Sequence, residues 1–161
     1  MTSEVYEQSI STYHDILEKT IMLDGSQIMF VDDSPAILQY IQLQLRLKYN
    51  LLHGYIIEPN PTLAHRVVTF IINQGIELGR YIKCAVLDID FGVYNNQINV
   101  NTLIKLFLDN NVPVVLFSGL MEWKKEISEE FHSKVTYINK CDKDAIAKLY
   151  AVIIEPKLRA A

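Results

Sequence analysis

Short apolar runs in this chain end at side chains that can do chemistry. In chain order these are an aspartate pair, a single aspartate, a serine and a lysine: Asp32-Asp33, Asp88, Ser118 and Lys140. Three carboxylates brought into one crevice repel one another unless a cation lies between them. Oxygen ligands with open coordination positions suit Mg²⁺, which also binds phosphate oxygens.

A serine hydroxyl and a lysine ammonium beside such carboxylates indicate phosphoryl chemistry, because both groups bind phosphoryl oxygens. A carboxylate can act as the nucleophile that accepts the phosphoryl group, and a divalent metal ion assists the transfer. The set is therefore typical of metal-assisted phosphoryl transfer to an aspartate. Taken singly, its members have simpler explanations, with Asp33 as a helix cap and Lys140 as an exposed side chain.

Apolar runs that alternate with helical patterns predict the elements that hold these residues. The predicted strands are Ser26–Val31, Leu52–Ile57, Lys83–Leu87, Val112–Phe117 and Val135–Ile138. The predicted helices lie near residues 35–48, 63–75, 101–107, 121–131 and 146–154. Continuous apolar strands, each followed by a helix, indicate a parallel sheet buried on both faces. Right-handed crossovers then give a doubly wound five-stranded α/β fold with helices on both faces of the sheet.

The carboxyl ends of the strands in such a sheet share one edge, where functional sites lie. The aspartates, the serine and the lysine are therefore expected at one edge. Ser34 is a suitable N-cap, and Pro35 fits the first helical position. Asn99 or Asn101 is expected to cap a later helix, and Glu58 is expected to be solvated.

Composition excludes several classes of protein. The chain has 161 residues and a formal net charge of −4 without a basic stripe, which argues against nucleic-acid binding. No apolar run approaches the ~20 residues that span a bilayer, and Met1–Gln8 lacks the basic residues of a secretory signal. Cys84 and Cys141 show no metal-type spacing, and Cys84 is expected to be buried. We expect a cytoplasmic protein that contacts neither nucleic acid nor membrane.

Residues 1–25 predict an accessory amphipathic helix before a domain that occupies residues 26–161. Its apolar residues recur at spacings of four, three and four: Tyr6, Ile10, Tyr13 and Leu17. Acidic residues lie largely on the other side, which disfavours a helix that binds a membrane surface. Two alternatives stay open, a helix packed on its own domain and a helix that binds a second copy or a partner.

The residues at the strand ends resemble those of the two-component response-regulator receiver domain over about Gln27 to Arg159. Val31–Ser34 resembles the acidic pair of that family, and Val86–Asp88 resembles the strand that carries its phosphoacceptor. Ser118 and Lys140 match its switch hydroxyl and its invariant lysine. The intervals of 30 residues from Asp88 to Ser118 and 22 from Ser118 to Lys140 are those of the family.

This resemblance implies a flavodoxin/CheY-like fold and phosphorylation of Asp88 with Mg²⁺ as cofactor. The implied metal ligands are Asp32, Asp33, Asp88 and the backbone carbonyl of Asp90. Ser118 and Lys140 are implied to bind the phosphoryl group. Tyr137 is implied to be the switch aromatic, although a half-buried strand residue explains it equally well.

The resemblance also implies partners. A sensor histidine kinase or a phosphotransfer protein would donate the phosphoryl group, and a downstream protein would read the result. Candidate contacts are Trp123, Tyr150 and Ile154, and a homodimer would use the N-terminal helix or the last strand–helix face. No output domain follows, so we expect a stand-alone receiver whose only reactions are its own phosphorylation and dephosphorylation.

The sequence departs from the family at Cys141, and two alternatives to a receiver stay open. Cys141 follows Lys140 where the family has a proline, which favours a trans peptide bond. Leu87–Asp90 is similar to the nucleophile motif of haloacid-dehalogenase-type phosphatases, with Asp88 as nucleophile and Asp90 as acid/base, but the acidic residues after Lys140 lack the spacing of that family. A receiver-like scaffold that acts by binding alone is the second alternative.

Overall fold

A parallel sheet of five strands forms the centre of the molecule. The computed structural model describes residues 27–50 and 55–154, so the predicted helix within residues 1–25 lies outside the described residues. The strands are β1 Gln27–Val31, β2 Tyr55–Glu58, β3 Ile82–Leu87, β4 Val114–Ser118 and β5 Thr136–Asn139. Their spatial order is β2-β1-β3-β4-β5, and every neighbouring pair is parallel.

Helices cover both faces of this sheet. They are α1 Pro35–Tyr49, α2 Pro61–Asn73, α3 Leu78–Tyr81, α4 Val100–Asp109, α5 Trp123–Glu126 and α6 Ala145–Ile154. Buried residues of α1 and α6 form one core cluster with one face of the sheet, and those of α2 and α4 form a second cluster with the other. The structure thus confirms the predicted parallel α/β architecture.

The strands are apolar without interruption because both of their faces are buried. In β4, Val114 and Leu116 belong to one core cluster, while Val115 and Phe117 belong to the other. Successive side chains of a strand point to opposite faces, so each face needs its own apolar set. Cys84 is buried as predicted, and burial raises the pKa of its thiol to about 12.

Polar caps fix where the long helices begin. Ser34 accepts a hydrogen bond from the Ile37 amide and caps α1, and Asn99 accepts one from the Asn101 amide and caps α4. Asn60 caps α2 in the same way. Each cap satisfies an amide that has no partner within its helix. The predicted caps of α1 and α4 are therefore confirmed, and these helices begin beside the carboxyl edge of the sheet.

The predicted helix over Met121–Phe131 is wrong as one element. Residues Trp123–Glu126 form a single helical turn, and a 3₁₀ turn follows at Glu129–Phe131. Ile127 between them has an extended backbone. The Asn101 side chain donates to the Glu126 carbonyl at 3.0 Å and accepts from the Ser128 amide at 2.8 Å, which satisfies the backbone at this break.

The helices in residues 27–50 and 55–154 are all too short or too polar to cross a bilayer.

Candidate functional site

Three aspartates converge at the carboxyl edge of β1 and β3, which are neighbours in the sheet. Asp32, Asp33 and Asp88 each bring a carboxylate oxygen within 4.8 Å of the others. Asp32 and Asp88 are only 4% and 6% exposed. The Asp88 amide donates to the Val31 carbonyl at 2.9 Å, which extends the pairing of the two strands to the site. Strand pairing therefore sets the spacing of the carboxylates.

Lys140 partly neutralises the negative charge of the three aspartates. Its ammonium lies 3.1 Å from Oδ2 of Asp88 and 3.4 Å from Oδ2 of Asp32. The Lys140 amide donates to the Ser118 carbonyl at 3.1 Å, so the end of β5 is tied to the end of β4. The peptide bond from Lys140 to Cys141 is trans, as predicted.

Burial and neighbouring negative charge both shift the pKa values of Asp32 and Asp33. Burial, and then the charge of Asp88, raises the pKa of Asp32 and of Asp33 above its ordinary value. Burial alone would lower the pKa of Lys140, but the carboxylates of Asp88 and Asp32 outweigh it and raise that pKa. The lysine therefore stays protonated, and three carboxylates share one fixed positive charge.

Asp90 stands apart from the carboxylate cluster. Its Oδ1 accepts hydrogen bonds from the Gly92 amide at 2.9 Å and from the Asn95 side chain at 2.8 Å. These bonds lower the pKa of Asp90, the Gly92 amide contributing most. The side chain is exposed and braces its own loop, so it is held as an ionised group.

Gly92 is a residue of the site that the sequence reasoning missed. Its φ of +57° is one that residues with a Cβ rarely adopt. A Cβ at this position would lie 2.7 Å from Oδ2 of Asp33, so any larger residue would displace that carboxylate. The only available signal was a glycine four residues after Asp88 in a loop without proline.

Ser118 and Tyr137 are linked through the backbone of Leu120 and also through the Ser118 carbonyl, which lies 3.3 Å from the Tyr137 hydroxyl. Oγ of Ser118, which is 2% exposed, accepts from the Leu120 amide at 3.3 Å. The Tyr137 hydroxyl donates to the Leu120 carbonyl at 2.9 Å. The Tyr137 ring stacks on Trp123 with centroids 5.2 Å apart, and Trp123 also contacts His132 edge-on. A movement of Ser118 can therefore reach the aromatic stack through Leu120.

Glu58 is not solvated, contrary to the expectation from sequence. It is 7% exposed, and Oε1 accepts from the Asn60 amide at 3.0 Å. Burial raises its pKa although this hydrogen bond lowers it. Glu58 thus belongs to the turn that leads into α2.

The converging groups open onto a cleft of about 400 Å³. Its lining residues are Asp33, Asp88, Asp90, Gly92, Ser118, Gly119, Leu120 and Lys140. The lining thus contains three carboxylates, with the exposed Asp90 in place of the buried Asp32, and one hydroxyl and one ammonium around a space that admits a small polar group. The hard oxygen donors fit a divalent cation such as Mg²⁺, and their excess negative charge would be offset by one.

The fold, but no sequence family, is matched among known proteins. No protein-family model and no curated protein sequence matches the chain. The bacteriophytochrome response regulator AtBRR is 14% identical with a TM-score of 0.57, and the match covers 85% of this chain and 97% of that one. The chemotaxis protein CheY4 of Vibrio cholerae is 12% identical with a TM-score of 0.53, with coverage of 80% and 98%.

A de novo designed Rossmann 2x3 fold protein is similar to the same degree. It is 12% identical with a TM-score of 0.56, and the match covers 84% of this chain and 96% of that one. At these identities the likeness concerns the fold alone. The chain has the fold of response-regulator receiver domains, as the resemblance in sequence predicted.

The crowding of the carboxylates predicts a pH-dependent gain in stability for Asp33→Asn. Because the folded pKa of Asp33 is raised above 3.8, the folded state binds more protons than the unfolded state between that value and the raised pKa. The contribution of Asp33 to the free energy of unfolding therefore falls as pH rises through this interval. Asp33→Asn lacks this titrating group. The free energy of unfolding of the variant should therefore exceed that of wild type by an amount that grows from about pH 4 to neutral pH.

Urea denaturation in a chelating buffer measures this difference. Asp109→Asn, at the exposed end of α4, is the control and should show no comparable trend. A difference between Asp33→Asn and wild type that stays constant with pH would contradict the electrostatic account.

Proposed function

We propose that this protein is a response-regulator receiver that accepts a phosphoryl group on Asp88. The observation that carries the proposal is the buried Asp88 carboxylate, which contacts Lys140 and lies beside Asp32 and Asp33 at the mouth of a cleft. The receiver-domain fold supports the same conclusion.

Mg²⁺ would be held by side-chain oxygens together with one main-chain oxygen. The proposed ligands are Asp32, Asp33, Asp88 and the backbone carbonyl of Asp90. When bound, the ion neutralises carboxylate charge and binds phosphoryl oxygens. The glycine at position 92 supports this arrangement, because a Cβ there would displace the Asp33 carboxylate from the cluster.

The proposed reaction is a displacement at phosphorus. A carboxylate oxygen of Asp88 forms a bond to phosphorus, and the bond from phosphorus to the donor breaks. The donor is a phosphohistidine of a sensor histidine kinase or phosphotransfer protein, whose imidazole leaves and takes up a proton. Lys140 is placed to transfer its hydrogen bond from Asp88 to a phosphoryl oxygen, since its ammonium already lies 3.1 Å from Oδ2.

Ser118 and Tyr137 would convert this event into a change of surface. The Ser118 hydroxyl accepts from Leu120, so its own proton is available for a phosphoryl oxygen. A move toward that oxygen would break the bond to the Leu120 amide and release the carbonyl that holds Tyr137. A downstream protein would then bind the face formed by β4, α5, β5 and α6, and a homodimer through the last strand–helix pair would use part of the same face.

The structure gives less support to a phosphatase. An acid/base at Asp90 would have to exchange protons beside Asp88, but its carboxylate accepts two hydrogen bonds within its own loop and its pKa is lowered. We therefore propose no activity beyond phosphorylation and dephosphorylation of the protein itself. The acidic net charge and the absence of a basic stripe in the sequence support protein partners rather than nucleic acid.

Phosphorylation can be tested by incubating the full chain with Mg²⁺ and acetyl phosphate and measuring the intact mass. Wild type should gain one phosphoryl group, and Asp88→Asn should gain none because the nucleophile is gone. Asp90→Asn is the matched control and should be phosphorylated, since its side chain only braces the loop. Failure of folded wild type to gain mass would contradict the proposal and favour a scaffold that acts by binding alone.

The coupling of Ser118 to Tyr137 predicts an optical signal. Trp123 is the single tryptophan of the chain and stacks on Tyr137, so its fluorescence should change when Asp88 is phosphorylated. Ser118→Ala should still be phosphorylated but should lose most of the fluorescence change, because the alanine cannot bond to the phosphoryl group. An undiminished signal in phosphorylated Ser118→Ala would contradict the route through Leu120.

A further inference from the structure

Helix α1 is apolar on both of its sides. Its buried residues Leu38, Ile41 and Leu45 pack in the core beneath it. On the opposite side Tyr40, Leu43 and Leu47 are 52%, 49% and 70% exposed. A helix on the surface of a domain normally carries polar residues where it faces away from the core. We call Ala36, Tyr40, Leu43 and Leu47 the outer stripe of α1.

The outer stripe forms a continuous apolar surface along α1 that the described residues leave exposed. Its residues follow one another at spacings of four, three and four, so they share one side of the helix over three turns. Ala36 is also exposed at the start of the same line. A run of exposed large apolar side chains on one helix is typical of an interaction site.

The sequence contains a segment with the matching pattern. Tyr6, Ile10, Tyr13 and Leu17 have the same spacings of four, three and four residues. Each of them precedes a residue of the outer stripe by 30 positions, from Tyr6 and Ala36 to Leu17 and Leu47. Two helices with this shared spacing can pack side by side along their whole length.

The charges of the two segments are complementary. Helix α1 contains Arg46 and Lys48 and no acidic residue. Residues 1–18 contain four acidic residues and no lysine or arginine: Glu4, Glu7, Asp15 and Glu18. Asp15 and Glu18 lie within two residues of Leu17, and Arg46 and Lys48 adjoin Leu47 on either side. Their attraction favours the pairing of Leu17 with Leu47.

Connectivity favours a parallel arrangement. Because α1 lies between the parallel strands β1 and β2, it returns the chain to the edge of the sheet where β1 begins. The last turn of α1, with Leu47, therefore lies near the edge at which Gln27 starts β1. The nine residues 18–26 span at most about 30 Å, which is enough to place Leu17 over that turn.

We propose that the N-terminal segment of the chain packs as a helix along the outer stripe of α1, parallel to it, with Leu17 next to Leu47 and Ile10 next to Tyr40. The occupant is the protein's own segment rather than a second copy or a partner protein. This inference is independent of the phosphoryl chemistry proposed above.

Disulfide trapping in the full chain tests the contact and its direction. In a Cys141→Ser background, which removes the exposed native thiol, Leu17→Cys is combined with Leu47→Cys. The control pair combines Tyr6→Cys with Leu47→Cys. A disulfide requires Cα atoms within about 7 Å, and parallel packing satisfies this only for the first pair.

Mild oxidation should produce an intrachain disulfide in the first pair, seen as a monomer of altered mobility on a non-reducing gel and located by peptide mapping. The control pair should stay largely reduced. Equal trapping of both pairs, trapping of the control pair alone, or no trapping in folded protein would overturn the proposed packing. Disulfide-linked dimers from the first pair would assign the outer stripe to a second copy and would also overturn it.

Discussion

The repulsion among three carboxylates at the edge of β1 and β3 is the constraint on which the site depends. Two of these carboxylates are almost fully buried, where like charges interact strongly and water screens them least. Lys140 reaches Asp32 and Asp88 and offsets part of the charge. The cluster persists because strand pairing fixes Asp32 and Asp88, and because Gly92, which has no Cβ, leaves room for Asp33 beside them. The fold therefore holds together a set of groups that would otherwise separate.

A cluster of carboxylates at this edge of the sheet can bind a metal ion. An uncompensated acidic cluster attracts a cation, and a cation beside a carboxylate prepares it to accept a phosphoryl group. The same edge of the sheet carries Ser118, whose hydroxyl is bonded through Leu120 to Tyr137 and hence to the stack on Trp123. Hydrogen bonds through Leu120 and through the Ser118 carbonyl thus connect the carboxyl edge of the sheet with the packing around Tyr137.

The sequence allowed much of this to be predicted, because buried parallel strands are continuously apolar and their carboxyl ends share one edge. What it did not reveal depends on contacts between distant residues. The helix predicted over Met121–Phe131 is interrupted, and Asn101 of α4 forms hydrogen bonds with the backbone at the interruption. No local sequence pattern indicates this contact. Glu58 is buried by the packing around its turn. The role of Gly92 follows from its distance to Asp33, which only the folded loop defines.

Titration of the full chain with Mg²⁺ at neutral pH, followed by calorimetry, tests the central claim that the carboxylate cluster is a cation site. We predict one ion bound per chain, with affinity at least about tenfold weaker in Asp33→Asn, a loss of about 1.4 kcal/mol or more. Asp109→Asn, which changes an exposed carboxylate on α4, should bind as wild type does. Absence of binding by folded wild type, or binding that Asp33→Asn leaves unchanged, would contradict the account.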